Sequence, residues 1–280
     1  MADIRSNKSI WILYNLHIFR RSVQIFTILF LVTVPVMVLN DYTGIVGTLY
    51  SISFWSVDIV DPAIVLQSII LNQEIVVAMI MAAIIPIALA AIFGKVFCSW
   101  MCPFHFLSEI GELVRKKMKR VNSKNNKNPR RFYYWIGFLL ILFLLIITDI
   151  PLITFLSMPG LISAQIADSI LFQAVGIEII IIAIIILLEM FFFPKFWCKY
   201  ACPVGATLAI FHNRRSLSIA YNSPNCADCE VAKENVCKQV CPLNLNPKRK
   251  DLYPYCNNCL ECVSICQKNG RALNLTFNKK

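Results

Sequence analysis

All 27 lysine and arginine residues lie outside four long apolar runs, and they occupy only alternate segments between those runs. The runs cover about 22–39, 75–93, 132–148 and 176–193 and are dominated by Ile, Leu, Val and Phe. Each approaches the roughly 20 residues that a helix needs to cross about 30 Å of hydrocarbon. Segments 1–21, 94–131 and 194–280 hold four, ten and thirteen basic residues. Segments 40–74 and 149–175 hold none, only Asp41, Asp58, Asp61, Glu74, Asp149 and Asp168. Basic residues collect on the cytoplasmic side of a membrane, so both termini and segment 94–131 are expected there. Four buried helices of a soluble protein would not sort charge in this way. Pro35 and Pro86 are tolerable inside spans as kinks. The first run has no small-residue cleavage site after it and reads as a retained span.

Composition agrees. Hydrophobic residues make up 58% of the 280 and charged residues only 15%, where a soluble domain carries about a quarter. The net charge of +11 would suit nucleic acid only on a soluble basic face, and here it lies in the segments beside the apolar runs. The basic stretch from Arg115 to Arg131 reads as a topology anchor facing anionic lipid. No Gly-x4-Gly-Lys loop occurs, which disfavours nucleotide-driven transport.

The chain repeats itself. Phe93-Gly-Lys95-Val-Phe-Cys98-Ser-Trp-Met-Cys102-Pro103 returns 100 residues later as Phe193-Pro-Lys195-Phe-Trp-Cys198-Lys-Tyr-Ala-Cys202-Pro203. Each copy follows the second apolar run of a pair. The expected fold is therefore a membrane all-α unit of four transmembrane helices in two repeated hairpins over residues 1–215, the copies related by an axis along the membrane normal. From about Leu217 hydrophobicity falls and cysteines crowd, marking a second, cytoplasmic α+β unit over 216–280.

All twelve cysteines fall on the expected cytoplasmic side, where thiols stay reduced. Eight form two runs, Cys226-x2-Cys229-x7-Cys237-x3-Cys241-Pro242 and Cys256-x2-Cys259-x2-Cys262-x3-Cys266. The second has the spacing in which three thiolates hold one [4Fe–4S] cube and the fourth reaches to another. On that logic Cys256, Cys259, Cys262 and Cys241 hold one cube, and Cys226, Cys229, Cys237 and Cys266 hold the other. A structural zinc site of four thiolates is the plain alternative. Two tandem endings with Pro242 after the first argue for iron–sulfur, although the seven-residue gap and Gln267 depart from the usual pattern. If Cys98–Cys102 and Cys198–Cys202 lie on helical turns, each pair shares a face, and duplication offers four thiolates at one depth. A third cluster, another soft-ligand metal, a redox dithiol and mere packing all remain open for them. Pro103 and Pro203 should start a helix at each site.

The stretches Val96-Phe-Cys-Ser-Trp-Met-Cys-Pro103, Asp61-Pro62 and Cys256-Asn-Asn-Cys-Leu-Glu-Cys262 resemble the NapH/MauN family of membrane-bound ferredoxin-type proteins, as does the whole layout. The resemblance implies a quinol dehydrogenase component in a bacterial inner membrane. Such a protein takes electrons from the quinone pool through two [4Fe–4S] clusters toward a periplasmic reductase of the nitrate-reductase type. It implies a periplasmic iron–sulfur or cytochrome partner as well. Related membrane ferredoxins accompany nitrous oxide reduction and oxidase assembly, so a metal-handling or maturation role is the alternative, and clusters with a purely structural role are a third reading.

His17, His105 and His212 all lie on the cytoplasmic side, so no bis-His haem site can form at mid-membrane. Quinol oxidation needs proton acceptors, and the candidates are His105 and Glu189, an ionisable residue within an apolar run. Lys195 is near enough in sequence to pair with Glu189. Glu109 and Glu112 are expected on a solvated helix face near Arg115 and Lys116. Trp11, Tyr14, Tyr133, Tyr134, Trp135, Trp197 and Tyr200 read as an interfacial aromatic belt.

Overall fold

A computed structural model describes residues 15–117, 130–173, 176–191, 195–213, 215–226, 230–231, 234–249, 252–268 and 272–277. Helices form in all four apolar runs: α1 (Leu16–Leu39), α3 (Val77–Phe93), α6 (Arg131–Thr148) and α9 (Glu178–Phe191). At 24 and 18 residues, α1 and α6 are long and apolar enough to cross a membrane, while α3 and α9 span 17 and 14. Pro35 and Pro86 sit inside α1 and α3. The outward faces expose Ile25, Phe26, Leu29, Leu89, Leu139, Phe143, Ile180 and Leu187 among others. A soluble monomer rarely presents so continuous an apolar belt, and this surface suits hydrocarbon rather than water.

Segments 40–74 and 149–175 are more than the connecting loops expected within each hairpin. A three-stranded antiparallel meander, β1 (Ile45–Gly47), β2 (Ser51–Phe54) and β3 (Val57–Val60), leads into α2 (Pro62–Asn72). The first unit is thus not wholly helical. Asp61 caps α2, its Oδ1 accepting from the Ala63 N–H at 2.9 Å, with Pro62 at the first helical position. In the second copy α7 (Leu152–Leu156) precedes α8 (Met158–Leu171), which carries Pro159 in its first turn. Both short helices reach inward: Ala63 shares a core cluster with Ala90 at the far end of α3, and Met158 shares one with Phe104. At 11 and 14 residues they are too short to register as spans in the sequence.

The first copy carries Cys98 on α4 (Val96–Trp100) and continues past Cys102 through α5 (Pro103–Lys117), and the second continues past Cys202 through α10 (Pro203–Ile210). Packing then crosses between copies. Helix α2 lies on α10 and α6 of the second copy, and α8 lies on α5 and α1 of the first. Helix α5 packs on α9, and α10 on α3. Neither copy has a complete core without the other.

The C-terminal segment pairs β4 (Ser218–Tyr221) antiparallel with β7 (Leu273–Thr276), Ile219 opposite Leu275. Between them lie the short hairpin β5 (Glu230–Val231) and β6 (Glu234–Asn235), then α11 (Val236–Gln239) and α12 (Glu261–Lys268). One apolar cluster joins this segment to the rest: Tyr134 and Phe138 of α6 and Ala206 and Ala209 of α10 pack with Leu243, Leu252, Tyr255 and Val263.

Glu109 corrects the expectation of a solvated face. It is buried on α5, where its Oε1 accepts from Arg20 Nη1 and Nη2 at 2.8 and 2.9 Å and its Oε2 accepts from Arg21. Arg20, only 1% exposed, also donates from Nε to Glu261 Oε1 at 3.1 Å, tying α1 to α12. Burial alone would raise the Glu109 carboxyl, but the adjoining His105 and the Arg20 charge hold it well below its ordinary 4.5. A carboxylate whose folded pKa is depressed adds stability that is complete above the unfolded value and is lost as pH falls. We expect thermal stability to drop progressively below about pH 4.5. Glu109→Gln should flatten that acid limb and cost about 3 kcal/mol near neutrality, because the buried guanidinium loses a charged partner. Circular-dichroism melts across pH check both.

Candidate metal centres

The two Cys-x3-Cys-Pro turns are built alike. The Cys102 N–H donates to Phe97 O at 3.1 Å and the Cys202 N–H to Trp197 O at 3.0 Å, each a widened turn spanning five residues. Such π-type turns gather at functional sites. As the prolines predict, α5 and α10 begin immediately after, at Pro103 and Pro203. The left-handed residue entering the turn is Gly94 in the first copy, φ 69°, and Lys195 in the second, φ 57°. Position 194 is a proline, whose ring forbids positive φ, so the kink moves one residue on.

Because the copies pack crosswise, each of two apolar clusters holds one thiol from either copy. Cys98 and Cys202 pack against one apolar cluster with Ala63, and Cys102 and Cys198 against another with Met158. Burial pushes the Cys202 thiol up to about 12, and Cys98 and Asp61 push the same way, while the N–H groups of Val204 and Gly205 at the α10 start oppose it. Cys102 is raised likewise by burial and by Cys98 and Cys202. Cys198 is raised by burial, Glu189, Cys102 and Cys202.

Three charged residues at this site were not assigned to it by the sequence. Lys95 and Lys195, one per copy, are 4% and 3% exposed. Burial lowers the Lys95 pKa, and Cys98, Cys256, Cys202 and Cys198 oppose that shift. Its Nζ donates to Tyr134 Oη at 3.3 Å. Lys195 Nζ has no hydrogen-bond partner among the described residues. Asp61, expected in an outer loop, lies close enough to Cys98 and Cys202 to bias both. The repeat itself carried the signal for the lysines, since each stands three residues before its first cysteine.

The seven C-terminal cysteines among the described residues fall into two neighbourhoods, in contact through Cys262 and Cys237. Burial pushes Cys241 up to about 11, with Cys256 adding to it. Cys259 feels Cys241 and Cys256, and Cys262 feels Cys259, Cys241 and Cys256. Cys237 feels Cys266 and Cys226. Cys229 lies outside the described residues. Backbone N–H groups point at sulfur: Leu245 N–H to Cys241 Sγ at 3.4 Å and Leu273 N–H to Cys266 Sγ at 3.3 Å. Thiols buried together do not ionise readily in a low dielectric, but a bound metal deprotonates a coordinating thiol outright. The donor set therefore fits a thiolate-bound metal group. Among the described residues, no three His, Cys, Asp or Glu side chains approach as closely as one bound ion needs.

The loop between Cys256 and Cys259 is fastened to the first repeat turn. Ser99 Oγ donates to Asn257 O at 2.9 Å, and Trp100 Nε1 to Asn258 O at 3.3 Å. Asn258 Nδ2 donates to Phe93 O and Leu217 O, both at 2.8 Å, and its Oδ1 accepts from Tyr253 Oη at 2.7 Å.

The two proton-acceptor candidates are both buried. Glu189 is buried, but its Oε2 accepts from Ser108 Oγ at 2.6 Å and its Oε1 from the Trp197 N–H at 2.7 Å. It clamps the second turn to α5 and makes no hydrogen bond with Lys195. The cavity beside it, lined by Ser108, Glu112, Arg115, Glu189 and Lys195, measures about 10 Å³, room for about one water and not for a quinol ring. His105 is buried rather than interfacial, its Nε2 3.3 Å from Glu109 Oε1, and burial lowers its pKa.

Asn258→Ala removes both amide donations and strands the buried Leu217 carbonyl and the half-buried Phe93 carbonyl, each lost bond being worth about 1 kcal/mol or more. We expect a destabilisation of about 2–3 kcal/mol and faster limited proteolysis of the segment after Leu217, read by mass spectrometry.

A family model described as a 4Fe-4S binding domain matches residues 75–120 and 175–219, one match in each copy of the repeat. The chain is 30% identical over 209 residues to an uncharacterized protein of Methanocaldococcus jannaschii, covering 73% of this chain and 75% of that one. It is 29% identical to the methylamine utilization ferredoxin-type protein MauN of Methylobacillus flagellatus, covering 80% of this chain and 74% of MauN. With the ferredoxin-type protein NapH of Escherichia coli the identity is 22%, covering 78% of this chain and 76% of NapH. No solved structure matches the chain. The chain belongs to the NapH/MauN family of ferredoxin-type proteins.

Proposed function

We propose that this chain crosses the cytoplasmic membrane four times with both termini inside. It takes electrons from quinol and delivers them toward a periplasmic terminal reductase through a periplasmic redox partner. The apolar belt on α1, α3, α6 and α9 and the absence of basic residues from segments 40–74 and 149–175 support that topology. Cys256, Cys259, Cys262 and Cys241 hold one [4Fe–4S] cube, and Cys226, Cys229, Cys237 and Cys266 the other. Bound cubes supply one-electron carriers.

The observation that carries this reading is the bonding of the Cys256–Cys259 loop to Ser99 and Trp100. It sets a ferredoxin-type thiolate group directly on the turn that carries Cys98, at the end of an apolar helix. Lys95, within electrostatic reach of both Cys98 and Cys256, places a positive charge between them and favours negative charge on either side. His105 and Glu189 are the proton acceptors of this scheme, His105 buried beside Cys102 of the first pair and Glu189 beside Cys198 of the second.

Anaerobic protein reconstituted in lipid should bleach in the visible iron–sulfur absorption within seconds of adding a quinol. Protein with intact clusters that does not bleach with any quinol tested would contradict the reading. Loss of metal from a partner enzyme in a Cys98→Ser strain, with quinol bleaching unchanged, would favour the maturation role instead.

A further inference from the structure

We infer that Cys98, Cys102, Cys198 and Cys202, two from each copy of the repeat, hold one shared [4Fe–4S] cluster, with Lys95 and Lys195 as its buried counter-cations. The inference goes beyond the quinol reading and stands without it, because it concerns what the site binds and not where electrons come from.

The first ground is arithmetic. Each stretch matched as a 4Fe-4S binding domain contains only two cysteines, Cys98 and Cys102 in 75–120, and Cys198 and Cys202 in 175–219. A cube of this kind takes four thiolates, so neither copy suffices. The crosswise packing supplies the rest, since Cys102 and Cys202 each lie in electrostatic reach of the other and of Cys98. Cys198 lies in reach of Cys102 and Cys202.

Charge is the second ground. Four thiolates around a cube leave a net negative centre, which is costly in an apolar setting unless paired. Lys195 is 3% exposed and its ammonium has no hydrogen-bond partner among the described residues. Glu189 is in electrostatic reach of this ammonium, but its oxygens are taken by Ser108 and the Trp197 amide. Cys198 lies in reach as well, where an anion would stabilise the buried charge. Lys95 occupies the equivalent place in the first copy, held at 3.3 Å from Tyr134 Oη and 5.0 Å from the centre of its ring. Helices α2, α5, α8 and α10 all begin at this site, at Pro62, Pro103, Met158 and Pro203, and their N-terminal N–H groups favour negative charge there.

The test uses the full chain prepared without oxygen, with iron and acid-labile sulfide counted per chain. Cys98→Ser and Cys198→Ser should each remove about four irons, and the double variant no more than either alone. The C-terminal signals in electron paramagnetic resonance should persist in all three as a check on folding. Additive losses, loss of zinc in place of iron, or no loss of iron would overturn the shared centre. Lys195→Met removes no ligand and keeps the proposal falsifiable should the cysteine variants fail to fold. It should make this centre harder to reduce, moving its midpoint down in a redox titration while the C-terminal midpoints stay, and Lys195→Arg should restore it. An unchanged midpoint in Lys195→Met would overturn the counter-cation role.

Discussion

The crosswise packing of α2 and α8 against the opposite copy of the repeat is the interaction on which the rest of the structure depends. A two-helix hairpin ending in Cys-x3-Cys-Pro has two thiols and an unfinished core. Setting α2 on α10 and α8 on α5 closes both cores at once, with Cys98 and Cys202 against one and Cys102 and Cys198 against the other. Packed interiors tolerate few voids, so the two copies constrain each other's turns closely. The widened turns at Cys102 and Cys202 and the proline starts of α5 and α10 then follow the same geometry twice.

On this platform the C-terminal segment is seated by directional bonds as well as apolar burial. Arg20 grips Glu261, Ser99 and Trp100 hold the Cys256–Cys259 loop, and Asn258 bridges the end of α3 to Leu217. Each contact fixes a residue inside or next to a cysteine run. An electron carrier depends on short, constant separation between centres, and such bonds supply it better than a flexible tether. Lys95 stands at the junction, in reach of thiols on both sides.

Much of this was legible before any coordinates. The 100-residue repeat, the helix starts at Pro103 and Pro203 and helices in all four apolar runs are visible in residue order alone. The missed features share one cause: partners distant in sequence. Glu109 and Glu112 have the spacing of a solvated face, but Arg20, 89 residues away, buries Glu109. Asp61 reads as a loop acid beside a proline, and only the inward course of α2 brings it to Cys98 and Cys202. Glu189 and Lys195 look like a local ion pair, yet Ser108 and the Trp197 amide take the carboxylate and leave the ammonium without a hydrogen bond among the described residues. Helices α2 and α8 escaped notice because half a span has no length signature.

The crosswise arrangement is tested most directly by photo-cross-linking. Phe211 follows α10 and packs on the cluster that contains Ala63. With p-benzoylphenylalanine in place of Phe211 in the membrane-embedded protein, irradiation and peptide mapping should locate the adduct within Pro62–Asn72 of the first copy. Adducts confined to Arg131–Thr148, in the same copy as Phe211, would contradict the exchange of half-helices between copies.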